Sequence, residues 1–324
     1  MTSTGGVAPC ALGLDVGGTA ARWRLVDAHG VVAGGSTAGF SGAMLHTATG
    51  REEVRSQLQR IASQVGAAVA PPGVTALVAG VTGVGGGSEA LVSMLAEAFA
   101  LPARMVTVVS DIEIAYRAAF APDGGYLVYA GTGSIAAFID AAGVLHRAGG
   151  RGFALDDAGG GYWIGREALR RLWRREDEQP GAWRESALAR RLFAVVGGDS
   201  SIHSARFLME RSRGEIGMLA IDVAACAGFG APADRDEIAS AIMLDAGAEL
   251  ARLAIAMIGR FGPKRIVVAG RAAQLHPLIE AGMRGRMPVD TALEFRNIEA
   301  DRAAAALAWQ RAVSGGQPPN LENR

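Results

Sequence analysis

Cysteine is scarce in this chain: its 324 residues include two, Cys10 and Cys226. They lie far apart, and no Cys-x-x-Cys pair or Cys/His cluster occurs, which argues against a zinc or iron–sulfur site built within one chain. Such usage fits a reducing cytoplasm. Charge of one sign is lacking too. Lys plus Arg number 32 and Asp plus Glu 32, for a formal net charge of zero, so the basic footprint of a nucleic-acid binder is missing. Long apolar runs are also missing. The least charged stretch, 124–139, is too short and too broken by glycines and hydroxyls to span a bilayer. Residues 1–10 carry neither the basic nor the apolar region of a signal peptide. A cytoplasmic protein with no membrane or nucleic-acid partner is expected. Aromatic residues make up 6%, whereas half the residues are apolar and 45 are glycine. The length suggests two domains.

The glycines cluster at 17–18, 83–87, 131–133, 149–161 and 270. Each cluster follows or joins an apolar strand-like run, the pattern of loops that approach a ligand closely. Residues 11–16 and 21–26 read as strands of a hairpin whose turn is D-x-G-G-T. Ala21, Trp23 and Leu25 share one face, and Arg22 and Arg24 the other. Because a strand follows and no lysine does, this is neither a P-loop nor a dinucleotide fingerprint. A third strand begins at 31–33. Val54, Leu58, Ile61 and Val65 mark a helix over 51–70, stopped by Pro71-Pro72-Gly73. A buried strand spans 75–81, and Ser88 caps a helix over 89–100. From Tyr126 the plan restarts. Strands are expected at 126–130, 134–140 and 144–147, then a glycine-rich loop with a helix from Arg166 to about Asp177. Residues 180–230 are mostly helical, broken at 197–198 and 228–232. A long helix spans 235–260, a last buried strand 265–269 and an Ala-rich helix 300–312. The polar tail from Ser314 is expected to be disordered.

The most informative stretch is 106–133. A β-branched run, 106–109, ends at Ser110-Asp111, and a second strand opens into Gly131-Thr132-Gly133-Ser134. A carboxylate at a strand's C-terminal end projects into the crevice where open α/β sheets bind ligands. A Gly-Thr-Gly-Ser turn offers N–H groups to phosphate oxygens. Either these are a base and an anion cradle for phosphoryl transfer, or Asp111 caps a helix and the glycines make a hairpin turn.

The D-x-G-G-T turn, the S-D strand end, the A-G-T-G-S turn and the late I-V-V-A-G strand resemble the ATPase domain shared by actin, heat-shock chaperones and sugar kinases. The run G-G-x-G-x-x-x-x-D-x-G-x-x-Y-W-I-G, over 149–165, resembles the N-acetylglucosamine kinase and BadF/BadG/BcrA/BcrD ATPase family. The resemblance implies an α/β protein of two actin-like, ribonuclease H-like ATPase domains facing across a cleft that closes on sugar binding. They would span 1–118 and 119–324, with helix 300–312 free to pack back on the first. It implies ATP and Mg2+ as cofactors. Asp15 would hold the metal through water. Gly17, Gly18 and Thr19 would face the phosphates, with Gly131, Thr132, Gly133 and Ser134 cradling the β- and γ-phosphates. Gly270 and Arg271 would border the adenosine. Asp111 would be the catalytic base on the acceptor hydroxyl. Thr132, Gly150, Arg151, Asp157 and Ser41 would complete the sugar site, unless Asp157 is merely a cap or turn residue.

The chain departs from the family at Arg151, where an aromatic residue is usual, at 38–42, where an Asn is usual and Ser41 stands in, and at Asp156-Asp157-Ala158-Gly159. Arg151 either reads an acidic substrate or pairs with Asp156. The expected function is phosphorylation of an aminosugar, N-acetylglucosamine or glucosamine, by a homodimer. The alternatives are a kinase for an acidic sugar such as N-acetylmuramate or a keto-deoxy acid, and a BadF-type ATPase that activates a partner enzyme. The last holds a bridging iron–sulfur cluster through cysteines, for which Cys10 and Cys226 have no paired neighbours. A sugar-sensing regulator would need a DNA-binding module, and about ten residues precede the first strand.

Overall fold

The computed structural model describes residues 9–69, 73–84, 88–228 and 236–315. The two tails, the prolines at 71–72, glycines 85–87 and most of the 228–232 break lie outside the described residues. The chain divides into two compact units, one running to Ala121 and resuming at Ile298, the other spanning Pro122–Asn297.

The first unit is built on β1 (Cys10–Val16), β2 (Ala20–Asp27), β3 (Gly30–Ala38), β4 (Val74–Val81) and β5 (Val106–Ser110), in the order β3-β2-β1-β4-β5. The first three strands are antiparallel, while β4 and β5 run parallel to β1. β1 is central and carries Leu12, Leu14 and Val16 fully buried on one face and Ala11 on the other, as a strand covered on both faces requires. The alternation expected in β2 is observed, with Ala21, Trp23 and Leu25 buried. Helix α1 (Ala48–Ala68) starts three residues before the hydrophobic spacing indicated, because the Thr47 hydroxyl caps it by accepting from the Gly50 N–H. Ser88 caps α2 (Glu89–Ala98) as expected. Helix α3 (Asp111–Ala119) follows β5 directly.

The second unit repeats the plan. Strands β6 (Tyr126–Ala130), β7 (Ser134–Ile139), β8 (Leu145–Gly149), β9 (Ile266–Ala269) and β10 (Leu293–Phe295) form a sheet in the order β10-β9-β6-β7-β8. Again three antiparallel strands adjoin two parallel ones, so β6 corresponds to β1 and β7 to β2. Between β8 and β9 come α4 (Gly161–Glu178), α5 (Ala187–Val196), α6 (Ser201–Glu210), α7 (Arg213–Cys226) and α8 (Glu237–Phe261). Helix α9 (Pro277–Arg284) and the three-residue β10 carry no clear periodic pattern in sequence.

Helix α10 (Ala300–Val313) belongs to the first unit. Its Ala304 and Ala308 are fully buried with Ala11, Val78 and Ile114. The approach is close because Gly13 has no side chain. A Cβ there would overlap the backbone N of Ala305 and stand 2.5 Å from the Asp301 carbonyl oxygen. Backbone cannot step aside as a flexible side chain can. Overpacking a core costs typically about 1–3 kcal/mol and occasionally more, so Gly13→Val is expected to cost about 3 kcal/mol or more in urea unfolding. A midpoint equal to wild type would mean that α10 is not seated on β1.

Candidate active site

In the first unit the expected site residues gather at the C-terminal ends of β1, β4 and β5. Asp15 lies on β1 opposite Arg22 of β2, with 3.5 Å between guanidinium and carboxylate. The Gly17–Thr19 turn follows, its Gly17 N–H donating to the Ala20 carbonyl at 2.9 Å. Gly18 and Thr19 are exposed. Gly39 lets the next loop press against this turn, because a Cβ at Gly39 would overlap the Gly17 carbonyl. Ser41 sits two residues on. Its hydroxyl donates to the Thr82 carbonyl at 3.4 Å and accepts from the Ala43 N–H at 3.3 Å. The Thr82 N–H in turn donates to the Val16 carbonyl at 2.9 Å. The Gly17 turn, the Ser41 loop and Thr82 are therefore knit into one wall.

Asp111 completes that wall. Asp111 is not the N-cap the sequence allowed: Ser110 caps α3, its hydroxyl accepting from the Glu113 N–H, and Asp111 is the first helical residue. Its carboxylate accepts from the Ile112 N–H at 2.8 Å and is hydrogen-bonded by Thr82. Burial pushes its carboxyl above the ordinary range, against these hydrogen bonds. Asp15 is pushed from 3.8 to about 6, first by burial; Arg22 opposes this, and Asp111 and Asp301 add to it. A half-buried carboxylate whose proton affinity is raised by a second carboxylate beside it makes a place that favours a cation. Thr82 was not singled out from sequence, where it is one hydroxyl at the start of a glycine-rich loop.

In the second unit the Gly131–Ser134 turn joins β6 to β7, so it is a hairpin turn, and it also docks on α4. The Gly161 N–H donates to the Gly131 carbonyl at 2.8 Å, and the Tyr162 N–H to the Thr132 carbonyl at 2.9 Å. These satisfy donors that a helix start leaves unpaired. The helix therefore begins at Gly161 and not at Arg166 as the sequence indicated. Gly160 is needed for packing, since a Cβ there would stand 2.6 Å from the Gly133 carbonyl carbon. The Gly131 N–H is spent on the Gly133 carbonyl at 2.9 Å, leaving the N–H groups of Thr132 and Gly133 for an anion. Ser134 is buried, and its hydroxyl donates to the Ala158 carbonyl at 2.6 Å. That bond ties the hydroxyl to the loop before α4. Ser134→Ala strands a buried carbonyl, worth about 1–3 kcal/mol. It should lower stability by about that amount in thermal melts and leave nucleotide affinity within about twofold. Loss of nucleotide affinity at unchanged stability would return Ser134 to the cradle.

Gly150 donates its N–H to the Ser134 carbonyl at 3.0 Å, and Gly270 ends β9 against Ala130, whose carbonyl a Cβ would overlap. Arg271 is exposed beyond it. Arg151 is exposed and does not pair with Asp156. Asp156 is held by Arg252 at 2.9 Å, and Asp157 by Arg213 at 3.1 Å. Asp157 is buried, and its carboxylate stands against the Gly133 Cα: a Cβ at Gly133 would lie 2.5 Å from Oδ2. Arg213 was missed in sequence, although Ser212 and Glu215 make a capping box that marks the start of α7.

The sequence profile of the BadF/BadG/BcrA/BcrD ATPase family matches residues 12–291. Among curated proteins none matches. Several solved structures share the fold. A candidate N-acetylglucosamine kinase from Chromobacterium violaceum is 22% identical, with TM-score 0.69, over 93% of this chain and 99% of that one. A second candidate N-acetylglucosamine kinase, from Porphyromonas gingivalis, is 15% identical, with TM-score 0.68, over 94% and 99%. A ROK family glucokinase from Streptomyces griseus, in complex with glucose and AMPPNP, is 17% identical, with TM-score 0.56, over 93% and 99%. At these identities the likeness establishes the actin-like two-domain fold. Among the described residues no helix is long and apolar enough to cross a membrane. With its profile matched over most of its length and its two five-stranded sheets repeating one plan, the chain belongs to the BadF/BadG/BcrA/BcrD ATPase family.

Proposed function

We propose that this chain is an ATP-dependent kinase that transfers the γ-phosphate of ATP to a hydroxyl of an aminosugar, N-acetylglucosamine or glucosamine. The observation that carries this is Asp111. It directly follows a parallel strand, Ser110 and not Asp111 is the N-cap of α3, and its carboxylate is hydrogen-bonded by Thr82 and the Ile112 N–H and has its proton affinity raised by burial. In the reaction, the acceptor oxygen bonds to the γ-phosphorus and the bond to the bridging β,γ-oxygen breaks. ADP leaves, and the hydroxyl proton passes to Asp111. The Thr132 and Gly133 N–H groups hold phosphate oxygens, as do Gly18 and Thr19. Gly270 and Arg271 border the adenosine. Thr132, Ser41, Gly150, Arg151 and Asp157 orient the sugar.

Mg2+ suits this donor set: it takes one or two carboxylates, with water and phosphate oxygens supplying the rest. Asp15, half-buried and made proton-hungry by burial and its acidic neighbours, is the residue that would hold it. When bound, the ion offsets the charge of the phosphates. The working form proposed is a cytoplasmic homodimer, which sedimentation velocity checks.

A second acceptor class has its own support. Arg151 is exposed and is not the partner of Asp156, so it is free to bind the carboxylate of an acidic sugar. The partner-activating ATPase is less well supported, because Cys10 and Cys226 are both buried, and a cluster bridging two subunits needs accessible thiolates. The test is ADP release with ATP and Mg2+ across a panel of neutral, amino and acidic sugars. A rise with an aminosugar supports the proposal, a rise confined to acidic sugars selects the second class, and release indifferent to every sugar rejects both.

A further inference from the structure

A closed ring of contacts surrounds the Gly131–Ser134 turn. The Tyr162 N–H bonds the Thr132 carbonyl. The Phe153 ring stands edge-on to Tyr162, with centroids 5.2 Å apart. The Arg213 guanidinium lies over Phe153 at 5.0 Å and bonds the Asp157 carboxylate at 3.1 Å. That carboxylate closes the ring against Gly133. Asp157 is held there at some cost. Its φ is 72°, a left-handed backbone that costs a non-glycine residue on the order of 1–3 kcal/mol, and its side chain is 5% exposed. A strained, buried carboxylate beside an anion-binding turn calls for a role beyond folding.

We propose that Arg213 is a positioning residue that fixes the Asp157 carboxylate, ionised and aimed at the rim of the Gly131–Ser134 turn, to accept a hydrogen bond from a non-reacting hydroxyl of the bound sugar. The inference rests on the kinase reading for the identity of the acceptor. It does not rest on it for the coupling between the two side chains. Arginine suits the task because its planar fork stays charged and can stack on a ring while donating sideways. Phe153 sets the plane of the guanidinium and Asp157 takes its edge. Burial, with Asp156, holds the Asp157 carboxyl above its ordinary range against the opposing pull of Arg213 and the Gly152 N–H. Asp156 is itself offset by Arg252, which also holds Glu249. Arg213 is thus the cation in direct contact with Asp157 that opposes this rise.

The test uses the full chain with Arg213→Gln and Arg213→Lys. Carboxyl carbon NMR, with Asp157→Asn to assign the resonance, follows the titration of Asp157 without any substrate. Its midpoint should rise in Arg213→Gln and return most of the way in Arg213→Lys. In steady-state kinetics, the acceptor KM should rise roughly 10–100-fold, as for other residues that orient a binding group, with the ATP KM within about twofold. The acid limb of kcat/KM for the acceptor should move to higher pH. An unmoved titration midpoint overturns the inference, as does an equal rise in both KM values. If wild type shows no acceptor-dependent ADP release, the kinase reading fails by itself, and the carboxyl titration still judges the role of Arg213.

Discussion

Asp111→Asn is expected to cut turnover by about 10²–10⁴-fold, the usual worth of general-base help, while acceptor and nucleotide still bind. The substitution isolates chemistry from folding because Ser110, and not Asp111, caps α3. The asparagine oxygen can still accept from the Ile112 N–H and from Thr82. Burial raises the Asp111 carboxyl above its ordinary range, so the charge is a cost to the fold, and a neutral amide should leave the melting temperature unchanged or raise it. Single-turnover kinetics and thermal melts of the variant beside wild type check both halves. Turnover near wild type at unchanged stability would mean that Asp111 is not the base.

Asp15→Asn should separate stability from activity even more sharply. The Asp15 carboxyl is lifted from 3.8 to about 6, so the folded chain binds this proton more tightly than the unfolded one. Stability should therefore fall as pH rises from about 4 to about 6 and stay lowered above it. At 1.36 kcal/mol per unit the cost is roughly 3 kcal/mol. The asparagine variant should recover much of it at neutral pH without nucleotide, and its stability should lose that part of its pH dependence. The Arg22 contact it gives up is long and half-exposed, worth about 0–1 kcal/mol. Activity moves the other way. A metal stabilising phosphoryl oxygens is worth several kcal/mol, so turnover with Mg2+ and ATP should fall on the order of 10²-fold or more for every acceptor alike. A variant that melts lower than wild type and keeps its turnover would make Asp15 a structural residue.

Much of this was legible in the sequence because it is local. The two Gly-Thr turns follow apolar strand-like runs, and Asp111 follows a β-branched run, so strand ends and turns could be placed. The repeat of one plan in two halves was legible for the same reason. What escaped depends on residues distant in the chain. Gly13 is a seat for α10, nearly 300 residues later in the chain, and no local pattern says so. The glycines at 160–161 look like a loop, yet they begin α4, because carbonyls of the Gly131–Ser134 turn satisfy that helix's first N–H groups. Ser134 belongs to a phosphate-like motif, but its hydroxyl serves Ala158. Thr82 and Arg213 matter through the carboxylates they touch, one at the start of α3 and one on the loop before α4.

The fate of the γ-phosphate tests transfer to a sugar most directly. Phosphorus NMR of the chain with ATP, Mg2+ and N-acetylglucosamine or glucosamine should show a sugar phosphate growing in step with ADP, and Asp111→Asn should suppress it. Growth of inorganic phosphate alone, at the same rate with and without sugar, would contradict the account.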